Sequence, residues 1–261
     1  MRNIAIDEVD HLPRPVVAIG RDYPPGYLLP MHSHRRAQLL YGATGIMHVH
    51  TRSGNWIVPP QRAVWLPPHM PHQVKMQGVT TRSLYIEPEA LPLAARSAGC
   101  QVVSVSPLLR QLLIEAVEMP LDYALQGRDA CLVSLLLHEI ARLSSLPLHI
   151  PLPTDSRLNA LCQSFLQQPN IHLSPQHWAQ QLYMSIRTFS RFFQSQTGLA
   201  FSQWRQRACV VLALSRLAAG EGVTQIAWEL GYENSAAFSA MFRRVLGQTP
   251  SSFLSGASPR R

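Results

Sequence analysis

The sequence predicts an α+β fold: a small antiparallel β-barrel or jelly roll followed by helices, then an all-α domain. Three observations predict it. Residues 1–90 run in short alternating apolar segments broken by closely spaced turn residues. From Ser106 the apolar period becomes helical. Between Leu173 and Leu254 one helical pattern is written twice.

The first part divides at its turn signals. Segments 37–41, 46–51, 55–58, 62–66, 72–76 and 82–86 read as strands, separated by Gly42 and Gly45, Ser53 and Gly54, and Pro67 and Pro68. Next comes an amphipathic helix with apolar Leu108, Leu109, Leu112, Leu113 and Val117, stopped by Pro120. After Gly127, residues 129–143 form a second helix, apolar on more than half its circumference. So broad a face needs cover on two sides, either from a second subunit, which makes the chain a homodimer, or from internal packing. Residues 144–154 hold Pro147, Pro151 and Pro153 and read as a connector, with Asp155 capping a helix beyond it. The expected division is a sensor barrel at 1–90, a helical packing or dimerisation region at 91–146, a linker at 147–154 and a helical domain at 155–256.

Composition narrows the function. An apolar fraction of 46% with 15% charged residues excludes a disordered chain. There is no run of about 18 uncharged apolar residues, and the N-terminus lacks the apolar core of a signal peptide. A cytosolic protein without a membrane partner is expected. Residues 1–154 carry 13 basic and 11 acidic side chains, whereas 155–261 carry 10 and 4, so most of the +8 net charge is C-terminal. Lys75 is the one lysine; every other cation is an arginine, whose flat fork suits phosphate and guanine edges. Cys100, Cys131, Cys162 and Cys209 are far apart in apolar, helix-like settings, the pattern of reduced core thiols.

The doubled pattern is a short apolar helix, a tight turn and a capped helix with polar residues facing outward, which is how a helix-turn-helix reads; two copies predict a reader of double-stranded DNA. In the first, Ser174 caps a helix with Pro175 at its first position, and Trp178, Ala179 and Leu182 form its buried stripe. Ser185 caps the next helix, where Ile186, Phe189, Phe192, Phe193 and Gln196 fall on the inner side. Arg187, Thr188, Ser190, Arg191 and Gln194 are the DNA-contacting candidates, since Arg pairs with guanine or phosphate and Gln with adenine. The second copy offers Ser235, Ala236, Ser239, Ala240 and Arg243. Its alanines cannot make bidentate hydrogen bonds, so discrimination is expected in the first copy and grip in the second. A connecting helix of about 18 residues, roughly 27 Å long, would set the two readers about one DNA turn apart.

The histidines form another constellation. The spacing Gly26, His32, His34, Gln38, Gly45, followed by Pro67 and His72, resembles the paired motifs of the cupin superfamily, where two His, a Glu and a later His hold a metal. A His-x-His pair on one strand would put both imidazoles on one face, about 7 Å apart. His32, His34, Gln38 and His72 are therefore the candidate divalent-metal or ligand site. The departures are Gln38 in place of the family's Glu, His69 in place of Gly and Met76 in place of Asn. Without the carboxylate, a structural or small-ligand role competes with metal binding. His48 and His50 make a second same-face pair and read as strand residues.

The run from Ser185 to Thr197, then Ala213, Ile226, Leu230-Gly-Tyr, Phe238, Phe242-Arg-Arg and the closing Gly247-x-Thr-Pro-Ser-x-Phe resemble the DNA-binding domain of the AraC/XylS transcription regulators. With the cupin-like segments, the resemblance implies a non-enzymatic, effector-responsive regulator of its own gene and of a neighbouring transporter gene. It would act as repressor or as activator, the latter requiring RNA polymerase as partner. Cys209 departs from the family's Arg on the connector, so a phosphate or intradomain contact would be lost there. The competing reading is a metal-cupin dioxygenase or isomerase with a helical appendage.

Overall fold

Nine of the N-terminal segments are strands in the computed structural model, which describes residues 6–52, 54–91 and 99–254. They are β1 (Val16–Tyr23), β2 (Tyr27–His32), β3 (Ala37–Gly42), β4 (Ile46–Thr51), β5 (Gly54–Val58), β6 (Arg62–Leu66), β7 (His72–Gln77), β8 (Val79–Ile86) and β9 (Gln101–Ser104). Helices α1 (Pro107–Ala116) and α2 (Arg128–Ala141) follow, then the short strands β10 (Ser145–Leu146) and β11 (His149–Pro151). The turn residue Ser53, residues 92–98 of the expected 91–146 region and the last two residues of 155–256 lie outside the described residues. The chain divides into two compact units, one of Met1–Arg52 and Val58–Leu146, the other of Ser53–Ile57 and Pro147–Arg261.

In the first unit, six antiparallel strands are ordered β1-β8-β3-β6-β9-β10, and β7 pairs with both β2 and β4 in a second sheet. The sheets form a jelly-roll-like sandwich and do not close into one hydrogen-bonded barrel among the described residues. Helices α1 and α2 cover one face of the six-stranded sheet. Leu39, Tyr41, Trp65 and Leu84 of the sheet share a buried cluster with Leu109 and Leu113 of α1 and Leu132, Leu136 and Ile140 of α2. Each such side chain removed from water contributes about 1.5–3 kcal/mol. Gly45 makes the β3–β4 turn at φ +64, and a Cβ there would lie 2.3 Å from the Gly78 carbonyl oxygen, so only glycine fits.

Several expectations change. Within the region read as helical from 91, residues 101–104 form β9, which joins the six-stranded sheet beside β6. The proline-rich connector is strand-paired: β10 lies on Val102 and Val103, and β11 on Gly54–Trp56 of β5. On α2, Leu135 and Cys131 are exposed, and Cys100 precedes a strand instead of sitting on a helix. Cys162 and Cys209 are buried, as expected of core thiols.

The second unit contains α3 (Ser156–Gln167), α4 (Pro175–Gln181), α5 (Ile186–Thr197), α6 (Phe201–Ala218), α7 (Val223–Glu229), α8 (Ser235–Leu246) and α9 (Pro250–Leu254). Asp155, Ser174, Ser185 and Asn234 cap α3, α4, α5 and α8 through side-chain oxygens, and Pro175 opens α4. Gly198 and Gly247 end α5 and α8 in the left-handed conformation. α6, 18 residues long as expected, serves both motifs. Its Phe201 and Trp204 interleave with Trp178, Phe189 and Phe193, with ring centroids such as Trp178–Phe201 at 5.0 Å. The Trp204 indole N–H donates to the Pro151 carbonyl at 2.8 Å, fixing β11 to α6. No helix among the described residues is long and apolar enough to cross a membrane.

Candidate functional site

The two helix-turn-helix motifs share one backbone device. In the α4–α5 turn, Tyr183 is left-handed at φ +55 and the Met184 N–H donates to Ala179 O. In the α7–α8 turn, Gly231 is left-handed at φ +87 and the Tyr232 N–H donates to Ala227 O. Both turns therefore redirect the chain into a second, capped helix. Trp178, Ala179 and Leu182 are buried as expected, and so are Phe189 and Phe193.

On α5 all five candidates, Arg187, Thr188, Ser190, Arg191 and Gln194, are exposed, but they are not equivalent. The Thr188 hydroxyl hydrogen-bonds the Ser185 cap at 2.9 Å, and the Ser190 hydroxyl donates to the Ile186 carbonyl at 2.9 Å. The side chains of Arg187, Arg191 and Gln194 make no ion pair or hydrogen bond among the described residues. Ile186, placed inward from its 100° position, is 47% exposed, because it sits at the helix start where no neighbour covers it. Gln196 does turn inward: its side-chain oxygen accepts from Thr154 N, Thr154 Oγ1 and Asp155 N, holding the start of α3.

On α8, Ala236, Ala240 and Arg243 are exposed, while Ser235 and Ser239 are half-buried. Arg216, by contrast, is committed to Glu221 and Glu229. Cys209 is fully buried, so no phosphate contact is possible at that position; its thiol is pushed up to about 12 by burial. Residue-type reasoning missed Tyr183, 94% exposed in the first turn. Its signal was in the repeat, where Tyr183 occupies the place of Gly231.

The second constellation lies in the first unit. His32 ends β2, but His34 stands in the loop before β3, so the pair does not share a strand. A register shift between Leu29 and His32 breaks the alternation on which that expectation rested. The imidazoles still converge with His72: ring centroids are 4.2 Å apart for His32–His72 and 5.3 Å for His34–His72, and one nitrogen from each lies within 4.8 Å of the others. Each Nδ1 faces a backbone carbonyl, of Pro30, Arg36 and Met70 at 2.8, 2.6 and 2.8 Å. A carbonyl only accepts, so Nδ1 carries the proton in each ring and each Nε2 offers its lone pair. Burial pushes the His72 pKa down to about 4 and lowers that of His34, keeping both neutral at pH 7.

Gln38 completes the group. Its amide lies 3.1 Å from His34 Nε2 and also reaches Ser83 Oγ and Tyr85 Oη at 3.2 and 3.0 Å. The amide oxygen is the end placed at His34 Nε2, and the amide nitrogen donates to the two hydroxyls; the two amide orientations have one shape, and the flipped one would let Gln38 donate to an unprotonated Nε2. Metal-ligating histidines are oriented by this kind of Nδ1–carbonyl bond, so His32, His34 and His72 fit a divalent ion, with Gln38 beside them. His69 is left-handed at φ +60, which explains why the cupin motif has glycine there. His48 and His50 are cross-strand neighbours of Lys75 and Gln73 on β7, strand residues as expected.

Comparison with known proteins agrees with both halves. The family described as "AraC-like ligand binding domain" matches residues 14–144, and that described as "Helix-turn-helix domain" matches 178–256. HTH-type transcriptional regulator NimR of Escherichia coli (strain K12) is 30% identical over 226 residues, covering 86% of this chain and 82% of its own. HTH-type transcriptional regulator RipA of Corynebacterium glutamicum is 33% identical over 106 residues, 41% of this chain and 32% of its own. Among solved structures, the DNA-binding domain of AdpA in complex with a target DNA is 31% identical, with a TM-score of 0.35 over 40% of this chain and 96% of that one. An N-terminal ligand-binding domain ahead of two exposed, capped recognition helices is the AraC arrangement, and the chain belongs to the AraC family as a DNA-binding transcription regulator.

Proposed function

We propose that the chain senses a small molecule in its N-terminal domain and controls its own gene and a neighbouring transporter gene. The observation that carries this reading is α5, where Arg187, Arg191 and Gln194 project from one capped helix with no hydrogen-bond or ion-pair partner among the described residues. Such a face matches base edges and phosphates. The working division is a sensor at 1–90, a packing or dimerisation region at 91–146, a connector at 147–154 and a DNA-binding domain at 155–256. Exposed Leu135 on α2 and Leu108 on α1 support a homodimer through these helices. The chain acts where its DNA is, in the cytoplasm, as a repressor or, through RNA polymerase, as an activator. A gel shift with DNA from upstream of its own gene, at graded salt, tests it: specific retardation over random DNA is expected, and its absence at every salt concentration rejects the reading.

A second reading rests on the convergence of three imidazoles, one nitrogen of each lying within 4.8 Å of the others. We infer that His32, His34 and His72 hold a divalent ion as part of the sensor. Bound there, the ion would supply Lewis acidity, but Gln38 supplies no negative charge and no base, which favours sensing over catalysis. Elemental analysis of the purified chain and of His72→Ala discriminates the cases. Stoichiometric metal lost in the variant supports the sensor ion, turnover by the loaded protein revives the cupin-enzyme alternative, and metal-free protein rejects both.

A further inference from the structure

Where α1 covers the six-stranded sheet, three guanidiniums gather round one phenol. Tyr41 and Arg82 are direct cross-strand partners, so both leave the sheet on the helix-covered face. Arg62 opposes Gly42, so its stem starts on the other face and its guanidinium joins the group only at the Gln61 turn, while Arg110 comes from α1. Gln61, held left-handed at φ +61 between β5 and β6, ties two of them together: its side-chain oxygen accepts from Arg110 Nη2 at 2.6 Å and its backbone oxygen from Arg62 Nη1 at 3.1 Å. Tyr41 is 1% exposed and lies within the electrostatic reach of all three arginines, and Arg62 is 7% exposed and within reach of Arg110.

The carboxylates are elsewhere. All 15 Asp and Glu residues lie among the described residues, and none forms an ion pair with Arg82 or Arg110. Ion pairs elsewhere among the described residues include those of Arg35 and Arg36 with Asp10 and Glu87, of Arg128 with Glu115 and Asp129, and of Arg216 with Glu221 and Glu229. Arg82 makes no hydrogen bond among the described residues, and the Nε groups of Arg82 and Arg110 are both buried without a partner. Like charges held together beneath a helix repel one another and are costly without a counter-charge. Guanidinium forks flanked by a phenolic O–H and a side-chain amide are the donors that bind a carboxylate or phosphate group bidentately. Tyr41 and Arg62 are buried and Arg82, Arg110 and Gln61 half-buried, so the group is recessed beside α1, where a small oxyanion fits better than a DNA backbone.

We propose that Arg62, Arg82 and Arg110, with Tyr41 and Gln61, form a binding site for the oxyanion of a small molecule, a carboxylate or a phosphate. Calling that molecule the effector rests on the sensor reading above; the binding itself does not. The test is calorimetric titration of the full chain, without DNA, with inorganic phosphate in one arm and succinate in the other. One saturable site is expected, with the tighter arm naming the oxyanion. Arg82→Gln and Arg110→Gln are each expected to weaken it about tenfold or more, and Arg128→Gln, on an exposed and already paired side chain, to leave it unchanged. Arg82→Gln and Arg110→Gln should also melt no lower than wild type without anion, since each relieves repulsion. The proposal is overturned if neither anion saturates the wild-type chain below about 10 mM. It is equally overturned if binding survives both substitutions or is lost in Arg187→Ala instead, which would place the phosphate on the DNA-facing helix. A failed gel shift with intact anion binding would reject the DNA reading alone.

Discussion

Replacing Arg187 or Arg191 with alanine should damage DNA binding without damaging the fold, and the structure sets the size of both effects. Each side chain is exposed and makes no hydrogen bond or ion pair among the described residues, so truncation removes no native contact and should change stability by no more than about 0.5 kcal/mol. Each is also free to make a bidentate contact, worth about 1–3 kcal/mol, or roughly five- to 150-fold in Kd. Ser190→Ala provides the internal contrast. Its hydroxyl already donates to the Ile186 carbonyl within α5, so its loss should cost DNA binding less than about 1 kcal/mol. The assay is a quantitative gel shift on the operator and on random DNA at several salt concentrations, with urea denaturation alongside. A base-reading arginine lowers operator affinity far more than random-DNA affinity, whereas a phosphate-gripping one weakens both and reduces the salt slope by about 1. If both arginine variants bind the operator within twofold of wild type while Ser190→Ala binds markedly worse, the assignment of α5 as reader is wrong.

Arg36 is fully buried and pairs with Asp10 at 3.0 Å and Glu87 at 2.9 Å, also donating to the Arg14 and Leu12 carbonyls. Arg36→Met should cost about 3–5 kcal/mol in urea denaturation, because two carboxylates lose a buried partner; a loss under about 1 kcal/mol would mean that Arg35 neutralises them alone. His69→Gly should raise stability by about 0.5–1 kcal/mol, the left-handed penalty of a side chain less the entropy cost of glycine, read as a higher urea midpoint with unchanged slope. His149 is stacked on Trp56, ring centroids 4.8 Å apart, and burial, then Arg207, push its pKa down to about 4. Below pH 6.5 the unfolded chain therefore takes up a proton that the folded chain refuses, and stability falls as pH drops from 6.5 towards 4. His149→Phe keeps the stack and should lose less stability over that window; a variant with the wild-type pH slope would clear His149 of the effect.

How much of this could be read beforehand depended on whether burial left a period in the sequence. Strands β4 and β7 face solvent on one side and alternate accordingly, so they were legible. β1 was not, because Val16-Val17-Ala18-Ile19 is buried on both faces and reads as an unbroken apolar run. β9, β10 and β11 have four, two and three residues, too few to show a period, and only their pairing with β6, β9 and β5 reveals them. The histidine site was legible in its membership but not in its geometry, since a register shift cannot be seen in spacing. Arg36 reads as one more cation in a basic run, and nothing in its neighbours announces that Asp10, 26 positions earlier, closes over it.

The asymmetry of the two readers becomes sharper when both helices are counted from their caps. From Ser185 and Asn234 alike, the fourth and eighth residues are buried phenylalanines, Phe189 and Phe193 against Phe238 and Phe242, and the thirteenth is the left-handed glycine, Gly198 or Gly247. The scaffold is thus the same, helix length and end included. The outward positions differ in chemistry: at the second, sixth and ninth residues, Arg187, Arg191 and Gln194 correspond to Ala236, Ala240 and Arg243. A frame repeated so closely would dock both helices in the same way, so unequal chemistry on their outer faces implies unequal halves of the DNA site. Guanidinium and amide groups would fix base identity under α5, while under α8 the alanines admit thymine methyls and Arg243 holds the backbone. An operator for this chain is therefore expected to be conserved on one side and permissive on the other, with its direction set by which half meets α5.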